Sequence, residues 1–449
     1  MQKPNIILIV LHDLGTHLAC YGQENVQTPN IDRLAAGGIV FEKNFATATY
    51  CSPSRGAIIT GKWPHANGLM GLVNLGWNLP PENLTLAQVL GGAGYDTHLF
   101  GVQHEAEDSA QLGFNHVVEG ASFHCTDVVP HVVDFIAERA KKQKDRNAEP
   151  FYARVGFIEV HRLGFDYERY LDLPKAEANA SVTTVPGFIK DSNLARTDVA
   201  QFNACVEHTD RYLGEIFDSV EEAGIGDNTI IVLTTDHGID FPRAKGTLYD
   251  SGINTTLVMR WPAAIKAGRR CDHMVSNIDL FPTLCGAAGA ETPDGVQGRS
   301  FLPVLGETQY EPNALVFAEK NTSTDDAKRC VRTDRWKYIR NFDEGPRLVL
   351  GTCTEYSLTR RGMGDEHLSP RPQAELYDLS SDPLELVNLA GKPEHAQQEA
   401  HLDATLSEWM RSTDDPLLEG PVARPPRESE LRDAAWKKIR EQSLNTRGD

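Results

Sequence analysis

Short apolar runs rich in β-branched residues alternate with helix-like stretches along most of the chain, and this alternation limits the possible fold more than any other feature. The predicted strands are residues 5–11, 97–101, 152–160 and 229–234. The predicted helices are residues 28–37, 84–92, 129–142 and 199–223. Strands that alternate with helices form a mostly parallel sheet with helices on both faces. The sequence therefore predicts an α/β fold.

The chain is too long for one compact domain, and its character changes after about residue 310. A chain of 449 residues predicts two domains, because a domain commonly holds roughly 100–200 residues. The later part predicts short strands at 336–339 and 375–379, a loop at 360–372, a helix at 400–410, and a strap or last helix within 421–449. We expect a large α/β domain of residues 1–315 and a C-terminal α+β subdomain of residues 316–449 with a small antiparallel sheet.

Charge and apolar content exclude several classes of protein. The formal net charge is −19, which disfavours nucleic-acid binding because an acidic chain repels phosphate unless its cations gather on one face. No run approaches the roughly 18–20 apolar residues of a membrane span. The eight cysteines are scattered without a CxxC pair, so we expect mostly free thiols and no disulfide framework. We expect no nucleic-acid partner and no membrane partner.

The apolar run at residues 5–11 leads directly into His12 and Asp13, so it predicts a buried strand and not a signal peptide. We therefore expect a cytoplasmic protein from the sequence as it stands. If a leader was removed, a periplasmic or secreted location is expected instead.

Polar residues cluster where the predicted strands end. The clusters are His12–Asp13, His104, His161–Arg162 and Asp236–His237. In an open α/β sheet, ligands bind beyond the carboxyl ends of the strands. We therefore expect these clusters to meet in one pocket.

The segment Cys51-Ser52-Pro53-Ser54-Arg55 predicts the start of a helix whose first turn would favour an anion near Cys51. Proline is tolerated in the first turn, and the positive end of the helix dipole would then lie near Cys51. Arg55 lies one turn further on and could hold an oxyanion. The alternative is an inert buried thiol at Cys51.

The full segment CSPSRGAIITG resembles the type I sulfatase signature, Cys-x-Pro-Ser-Arg followed by four residues and Thr-Gly. The resemblance implies an alkaline-phosphatase-like α/β fold and the conversion of Cys51 to formylglycine (3-oxoalanine) by a maturase. In this family the hydrated aldehyde attacks the sulfur of a sulfate ester, and its second hydroxyl then expels sulfate. Arg55 is implied as a member of the catalytic set.

The resemblance extends over most of the chain. Further matching segments are NIILIVLHDLG at 5–15, TPNID at 28–32, GVQH at 101–104, TTDHG at 234–238 and KGTLYDSG at 245–252. Segments around Val160–Arg162, Asp236–Pro242 and Glu375–Asp378, with Asp382-Pro383 and Asn388-Leu389, are similar to the heparan N-sulfatase (sulfamidase) branch. That branch is therefore the expected one.

A divalent metal is implied at the first and fourth polar clusters, with Cys51 as a further ligand. Asp13 and Asp236 would supply the hard anionic oxygens that such a cation needs. The family usually adds a second Asp and an Asn, whereas this chain has His12 and His237. The resemblance implies Ca²⁺, with Mn²⁺ or Mg²⁺ as alternatives, and the histidines suit Mn²⁺ or Zn²⁺ better. The alternative for His12 is to orient Asp13.

The resemblance also implies general acid–base residues. His104 would help to deprotonate the formylglycine diol, while His161 and Lys245 would act at the bridging oxygen, since an imidazole titrates near neutrality. Val102 replaces a sulfate-binding lysine of the family, and Lys62 is a candidate to compensate. The remaining predicted substrate-binding residues are Arg162, His65 and Gln103, with Arg299 a weaker candidate.

The sequence predicts a sulfatase that removes sulfate from a sulfated carbohydrate, with a sulfamate as a special case. The acidic chain argues against gripping a long polyanion, so we expect action at the end of a short glycan. One alternative is a phosphonate monoester or phosphodiester hydrolase on the same fold, which also pairs Asp with His at the second metal turn. The other is a non-catalytic binder of sulfated glycans, which Val102 would permit.

Overall fold

The computed structural model describes residues 3–118, 120–142, 149–162, 180–321 and 326–445. The described strands are β1 (Asn5–Leu11), β2 (Ile39–Phe41), β3 (Asn44–Phe45), β4 (Asp96–Gly101), β5 (His116–Val118), β6 (Phe151–Gly156), β7 (Thr229–Thr235), β8 (Asn254–Thr255), β9 (Leu257–Arg260), β10 (Arg269–Cys271), β11 (Val275–Ser276), β12 (Val316–Lys320), β13 (Lys328–Arg332), β14 (Trp336–Asn341) and β15 (Ala374–Asp378).

The described α-helices follow the same chain order. They are α1 (Pro29–Ala36), α2 (Cys51–Thr60), α3 (Pro64–Asn67), α4 (Leu86–Gly92), α5 (Cys125–Lys142), α6 (Asn193–Glu222), α7 (Asp250–Ile253), α8 (Leu280–Ala288), α9 (Leu302–Leu305), α10 (Thr352–Glu355), α11 (Leu358–Met363), α12 (Ala396–Ser412) and α13 (Glu428–Asn445).

The large sheet has eight strands in the order β10-β2-β9-β7-β1-β6-β4-β5. Strand β9 is antiparallel to both of its neighbours, and the other pairings are parallel. A separate small sheet has three strands in the order β11-β3-β8. The predicted mostly parallel α/β fold is confirmed.

Strand β1 lies inside the sheet, and all seven of its residues are buried. Successive side chains of a strand point to opposite faces. Ile7, Ile9 and Leu11 pack in the core that includes residues of α1, α5 and α6, whereas Ile6, Leu8 and Val10 pack in the core with α2, α4 and α8. A strand covered on both faces needs apolar residues at every position, which explains the unbroken run at 5–11.

The predicted strand at 152–160 is too long, because β6 ends at Gly156. Gly101 and Gly156 end adjacent strands and allow the two backbones to approach closely. A Cβ on Gly101 would lie 2.2 Å from Gly156 O, and one on Gly156 would lie 2.5 Å from Val102 O. The chain therefore leaves the sheet here, which frees the following residues for the pocket.

The C-terminal sheet is antiparallel, in the order β12-β13-β14-β15, and it begins at Val316. Helix α12 packs on it through Leu402, Leu406 and Trp409. The predicted loop at 360–372 is partly wrong, because helix α11 occupies Leu358–Met363, where the Ser357 side chain caps the helix by accepting from Arg360 N. The division at residues 315 and 316 stays a prediction.

The structure also shows the state of the cysteines and the character of the helices. All eight cysteines lie in the described residues and all are free thiols, as predicted. Within the described ranges, no helix combines the length and apolar character required to cross a bilayer.

Candidate active site

The four predicted polar clusters follow four strands that are neighbours in the large sheet, β7, β1, β6 and β4. These strands are mutually parallel, so their carboxyl ends lie at one edge. His12, His104 and His161 follow three of those ends and line one cavity of about 480 Å³. Asp236 follows the fourth end and is fully buried beneath it. The expected convergence is confirmed for these side chains.

Cys51 is the first residue of helix α2, after Tyr50 in an extended conformation. Its Sγ lies 3.8 Å from Asp13 Oδ1 and 3.4 Å from His237 Nε2. Burial raises the pKa of the Cys51 thiol well above its ordinary value, and the nearby cation of Lys245 offsets only part of that effect. The unmodified side chain is therefore a neutral thiol on the floor of the cavity.

One ligand atom from each of His12, Asp13, Cys51 and Asp236 lies within 4.8 Å of the others. Asp13 adopts a left-handed backbone conformation, with φ of 49°, which is uncommon outside glycine and turns the chain sharply after β1. Asp236 Oδ1 accepts hydrogen bonds from the backbone N–H groups of Asp13 and His237, each at 2.9 Å. These bonds fix the Asp236 carboxylate against the backbone turn at Asp13.

His12, within this cluster, and His237, next to it, offer ring nitrogens for ligation. His237 Nδ1 lies 2.9 Å from Gly238 O, which places the proton on Nδ1 and leaves the Nε2 lone pair facing Asp13 Oδ1 at 3.2 Å. His12 is 1% exposed, its Nδ1 lies 3.2 Å from Asp236 Oδ2, and its Nε2 is buried without a hydrogen bond. Burial, followed by the Arg55 charge, lowers the pKa of His12 to about 3. A neutral imidazole beside two carboxylates is a donor set that fits a divalent cation.

Arg55 was expected to hold an oxyanion near Cys51, but its guanidinium contacts protein groups. Its Nε donates to Asp236 Oδ2 at 3.0 Å, and its Nη2 donates to Val10 O and Leu11 O at 3.2 and 2.8 Å. Nη1 is buried without a hydrogen bond. The side chain is fully buried beneath the cluster, so the contacts made by Arg55 orient a carboxylate and the end of β1.

Lys245 and His161 both contact Asp13. Lys245 Nζ donates to Asp13 Oδ2 at 2.6 Å and lies 3.5 Å from both His161 Nδ1 and Asp240 Oδ2. His161 Nδ1 lies 2.8 Å from Asp13 Oδ2. Burial lowers the pKa of Lys245, but the carboxylates of Asp13 and Asp240 more than offset this and hold the pKa well above its ordinary value. Lys245 is therefore a cation in the cavity wall.

His104 lies on another part of the cavity wall, beside Gln103 and Val102. Its Nε2 lies 3.2 Å from Asn74 Oδ1, and an amide oxygen can only accept, so Nδ1 carries the lone pair. Burial, followed by the Arg55 charge, lowers the pKa of His104 to about 4. Gln103 lines the cavity, but its amide is bonded within its own loop, with Oε1 accepting from Glu105 N and Ala106 N.

Three predicted substrate-binding residues do not line this cavity. Arg162 turns away from the edge of the sheet, is fully buried, and donates from Nη1 to Asp198 Oδ1 at 2.8 Å. His65 is buried against the Glu319 carboxylate. Lys62 Nζ donates to Asn83 Oδ1 at 3.2 Å. Arg162 and His65, predicted as substrate-binding residues, therefore lie away from the cavity wall, because each is paired with a buried carboxylate.

Sequence reasoning missed two groups at the cavity. Asp240 is 1% exposed, contacts Lys245, and accepts from Thr354 Oγ1. Its place in the turn at Asp236–Pro242 was noted, but nothing in the sequence showed that its carboxylate faces Lys245. The second group belongs to α13 and comprises Arg432, Ala435 and Trp436. The sequence predicted either a strap or a last helix within residues 421–449. Nothing in the sequence indicated that this helix packs at the active site.

Comparisons with known proteins agree with this geometry. Residues 4–290 match the family model described as Sulfatase, and residues 241–349 match the model described as N-sulphoglucosamine sulphohydrolase, C-terminal. An ulvan-active sulfatase of Formosa agariphila is 29% identical over 437 residues, which cover 94% of this chain and 83% of that protein. N-sulphoglucosamine sulphohydrolase of Homo sapiens is 26% identical over 466 residues, which cover 93% of this chain and 92% of that protein.

Solved structures support the fold. A protein in complex with its substrate D-glucosamine-2-N,6-O-disulfate has a TM-score of 0.70 at 22% identity, covering 92% of this chain and 99% of that chain. A 2-O GAG sulfatase has a TM-score of 0.71 at 22% identity, covering 95% of this chain and 96% of that chain. Because the match to the family model spans residues 4–290, more than half of the sequence, the chain belongs to the sulfatase family and is a sulfuric ester hydrolase.

Proposed function

We propose that this enzyme removes sulfate from the end of a short sulfated carbohydrate, with a formylglycine made from Cys51 by a maturase and with a divalent metal. The observation that carries the proposal is the position of Cys51 at the start of α2, where it lies 3.8 Å from Asp13 Oδ1 and lines the cavity. A nucleophile at this point would face the cavity from beside the metal-ligand set.

His12, Asp13, Asp236 and His237 would hold the metal, whose charge would neutralise a sulfate oxygen and favour attack at sulfur. When formed, the aldehyde hydrate at position 51 would supply the attacking hydroxyl. Arg55 positions Asp236 through its Nε hydrogen bond. Ca²⁺ remains the expected ion from the family, and the two histidines favour Mn²⁺ as the alternative.

Lys245 and His161 would act on the leaving oxygen. His161 Nδ1 and Lys245 Nζ both contact Asp13 Oδ2, on the side of the site away from the cavity. This leaves His161 Nε2 and the remaining Lys245 donors for the bridging oxygen. His104, neutral because its pKa is about 4, would accept a proton at Nδ1 from a hydroxyl at position 51.

The substrate class is supported by relatives whose names include ulvan and N-sulphoglucosamine. A cavity of about 480 Å³ lies within the range of roughly 300–1,000 Å³ usual for small-molecule sites. A cavity of this size favours a terminal sugar over the middle of a long chain. Both an O-sulfate and a sulfamate fit this proposal.

The test has two parts. Mass spectrometry of the tryptic peptide 44–55, from protein expressed with a maturase, should show a mass lower by about 18 Da, the change from thiol to aldehyde at Cys51. Assays with an aryl sulfate and an aryl phosphonate, each with Ca²⁺ and Mn²⁺, should show faster sulfate turnover. An unmodified peptide without turnover would favour a non-catalytic glycan binder, and faster phosphonate turnover would favour the phosphonate monoester or phosphodiester hydrolase alternative.

A further inference from the structure

Helix α13 lies about 380 residues after Cys51 in the chain, yet it forms part of the same cavity wall. Arg432, Ala435 and Trp436 line the cavity together with Cys51, His104 and Lys245. The spacing of three, four and one between these positions places all three side chains on one face of the helix. That face is therefore turned toward the cavity.

Contacts on both sides of α13 hold it in this position. The Trp436 ring contacts the Tyr356 ring, with centroids 6.1 Å apart and planes at 65°. Near the start of α13, Pro425 and Leu431 lie against Gly76. A Cβ at Gly76 would be 3.3 Å from Pro425 Cβ and 3.7 Å from Leu431 Cδ1. The chain entering α13 therefore packs against the 73–76 turn. The helix thus bridges the C-terminal subdomain and the loop that carries Asn74.

The two larger side chains offer different chemistry. The half-buried Trp436 presents an aromatic ring, which suits the apolar face of a sugar because it adds contact area at low entropic cost. Arg432 contacts the buried Glu428 through Nη2, and its side chain is 16% exposed. A guanidinium carries five N–H donors, so a second oxyanion can bind beside the one that Glu428 supplies.

Lys245 and Arg432 are the lysine and the arginine among the described residues that line the cavity. The Lys245 charge is shared with Asp13 and Asp240, and Val102 stands where the family has a lysine. A substrate with an additional anionic group would therefore find its partner on α13.

We propose that α13 is the sugar-recognition element of this enzyme, with Trp436 stacked on a sugar ring and Arg432 bound to a second anionic group, a sulfate or a carboxylate. This inference rests on the proposed function, because it concerns the saccharide attached to the sulfate that is cleaved. It assigns substrate specificity to a helix outside the sulfatase signature segments.

The experiment measures how well saccharides compete with 4-nitrophenyl sulfate, which lacks a sugar. The competitors are D-glucosamine-6-O-sulfate, D-glucosamine-2-N,6-O-disulfate and a monosulfated disaccharide containing a uronic acid. The proteins are the wild type, Trp436→Ala, Trp436→Phe and Arg432→Gln, with Lys437→Gln as a charge control on the exposed side of α13. Each inhibition constant is compared with the KM for 4-nitrophenyl sulfate in the same protein.

We expect Trp436→Ala to raise the saccharide inhibition constants about tenfold more than the aryl sulfate KM, with Trp436→Phe in between. Arg432→Gln should abolish the preference for a doubly anionic over a singly sulfated sugar. Comparing the disulfated sugar with the uronic-acid disaccharide shows whether Arg432 binds a sulfate or a carboxylate. Lys437→Gln should behave as the wild type. This preference is a ratio between ligands, so general loosening of α13 would not remove it selectively.

Two results would overturn the inference in different ways. If the saccharides compete with the wild type but the variants keep the same constants and preference, α13 has no role in recognition and the proposed function stands. If the wild type hydrolyses the aryl sulfate and no saccharide competes, both the inference and the carbohydrate substrate are wrong, while the sulfatase chemistry remains.

Discussion

The two carboxylate oxygens of Asp13 face different parts of the active site. Oδ1 lies 3.8 Å from Cys51 Sγ and 3.2 Å from His237 Nε2. Oδ2 accepts from Lys245 Nζ at 2.6 Å and lies 2.8 Å from His161 Nδ1. One side chain thus couples the nucleophile and metal-ligand side of the site to the groups proposed to act on the leaving oxygen.

Replacing Cys51 by alanine should abolish sulfatase turnover and leave the fold intact. The side chain is small, so we expect the free energy of unfolding to fall by only about 1 kcal/mol. Aryl sulfate assays and thermal denaturation monitored by circular dichroism check both parts. Retention of most of the activity would contradict the proposed role of Cys51.

Replacing Lys245 by methionine should impair slow leaving groups more than fast ones. A sugar alkoxide needs a proton or a cation at the bridging oxygen, whereas 4-nitrophenolate leaves readily, so the loss in kcat should reach about 10²–10⁴-fold for a sugar sulfate. The loss for the aryl ester should be smaller. Comparing kcat for the two esters checks this, with the exposed Lys266→Met as a matched control. Equal losses on both esters would assign Lys245 to sulfate binding instead.

Changing His12 to aspartate should shift the metal preference toward Ca²⁺. The substitution replaces a neutral nitrogen donor by a hard anionic oxygen, which Ca²⁺ prefers and which the family usually carries. A bound ion stabilises the folded state by mass action. The measurement is the rise in Tm caused by Ca²⁺ relative to Mn²⁺, in the wild type and the variant after chelator treatment. An unchanged ratio would indicate that His12 orients Asp13 without ligating the ion.

Replacing Arg162 by methionine should reduce stability. Asp198 would remain buried, still accepting from Thr359 N and Oγ1 but without its guanidinium partner. Breaking a buried pair in this way costs about 3–5 kcal/mol. Urea denaturation measures the loss. A raised KM with an unchanged unfolding midpoint would restore the original expectation that Arg162 reads the sugar.

Glu385 should make the stability of the protein decrease between about pH 4.5 and 7. Burial is the largest influence and raises the pKa of Glu385 to about 7, with Asp250 adding to the rise and Lys337 opposing it. The folded state therefore keeps a proton that the unfolded chain has lost. This contribution is complete below the unfolded pKa and disappears as the pH rises through the folded pKa.

The check on Glu385 is Tm measured across this pH range. Glu385→Gln should flatten the slope, even though the amide is expected to lower Tm at pH 5 by disturbing the bond from Asp250 N. The exposed Glu394→Gln is the matched control and should keep the wild-type slope. A variant slope equal to that of the wild type would contradict the assignment.

Local sequence was sufficient for the strands that end at the site and for the helix that begins at Cys51. An apolar run of seven residues specifies β1 because both of its faces are covered, and Pro53 is compatible with the first turn of α2. Boundaries were less predictable. The strand predicted at 152–160 ends at Gly156 because of a close approach to β4, which is a contact between distant segments.

The functions of individual charged side chains were the least predictable part. The sequence suggests Arg162 and His65 as candidates for substrate contact. In the structure both are buried, Arg162 beside Asp198 and His65 beside Glu319. A buried charge requires a partner, and the partners lie 36 and 254 residues away in the chain. No local pattern reports such pairs.

The sequence by itself determined the α/β architecture, the cysteine segment and the strand ends that carry the metal-ligand candidates, because these depend on periodicity and on neighbours in the chain. The tertiary structure alone decided that Thr354 donates to the buried Asp240 and that Arg432 and Trp436 line the cavity. These placements depend on how the C-terminal subdomain packs at the cavity and on how α13 packs against the 73–76 turn and Tyr356. Packing between distant segments brings such side chains together without leaving a spacing in the sequence.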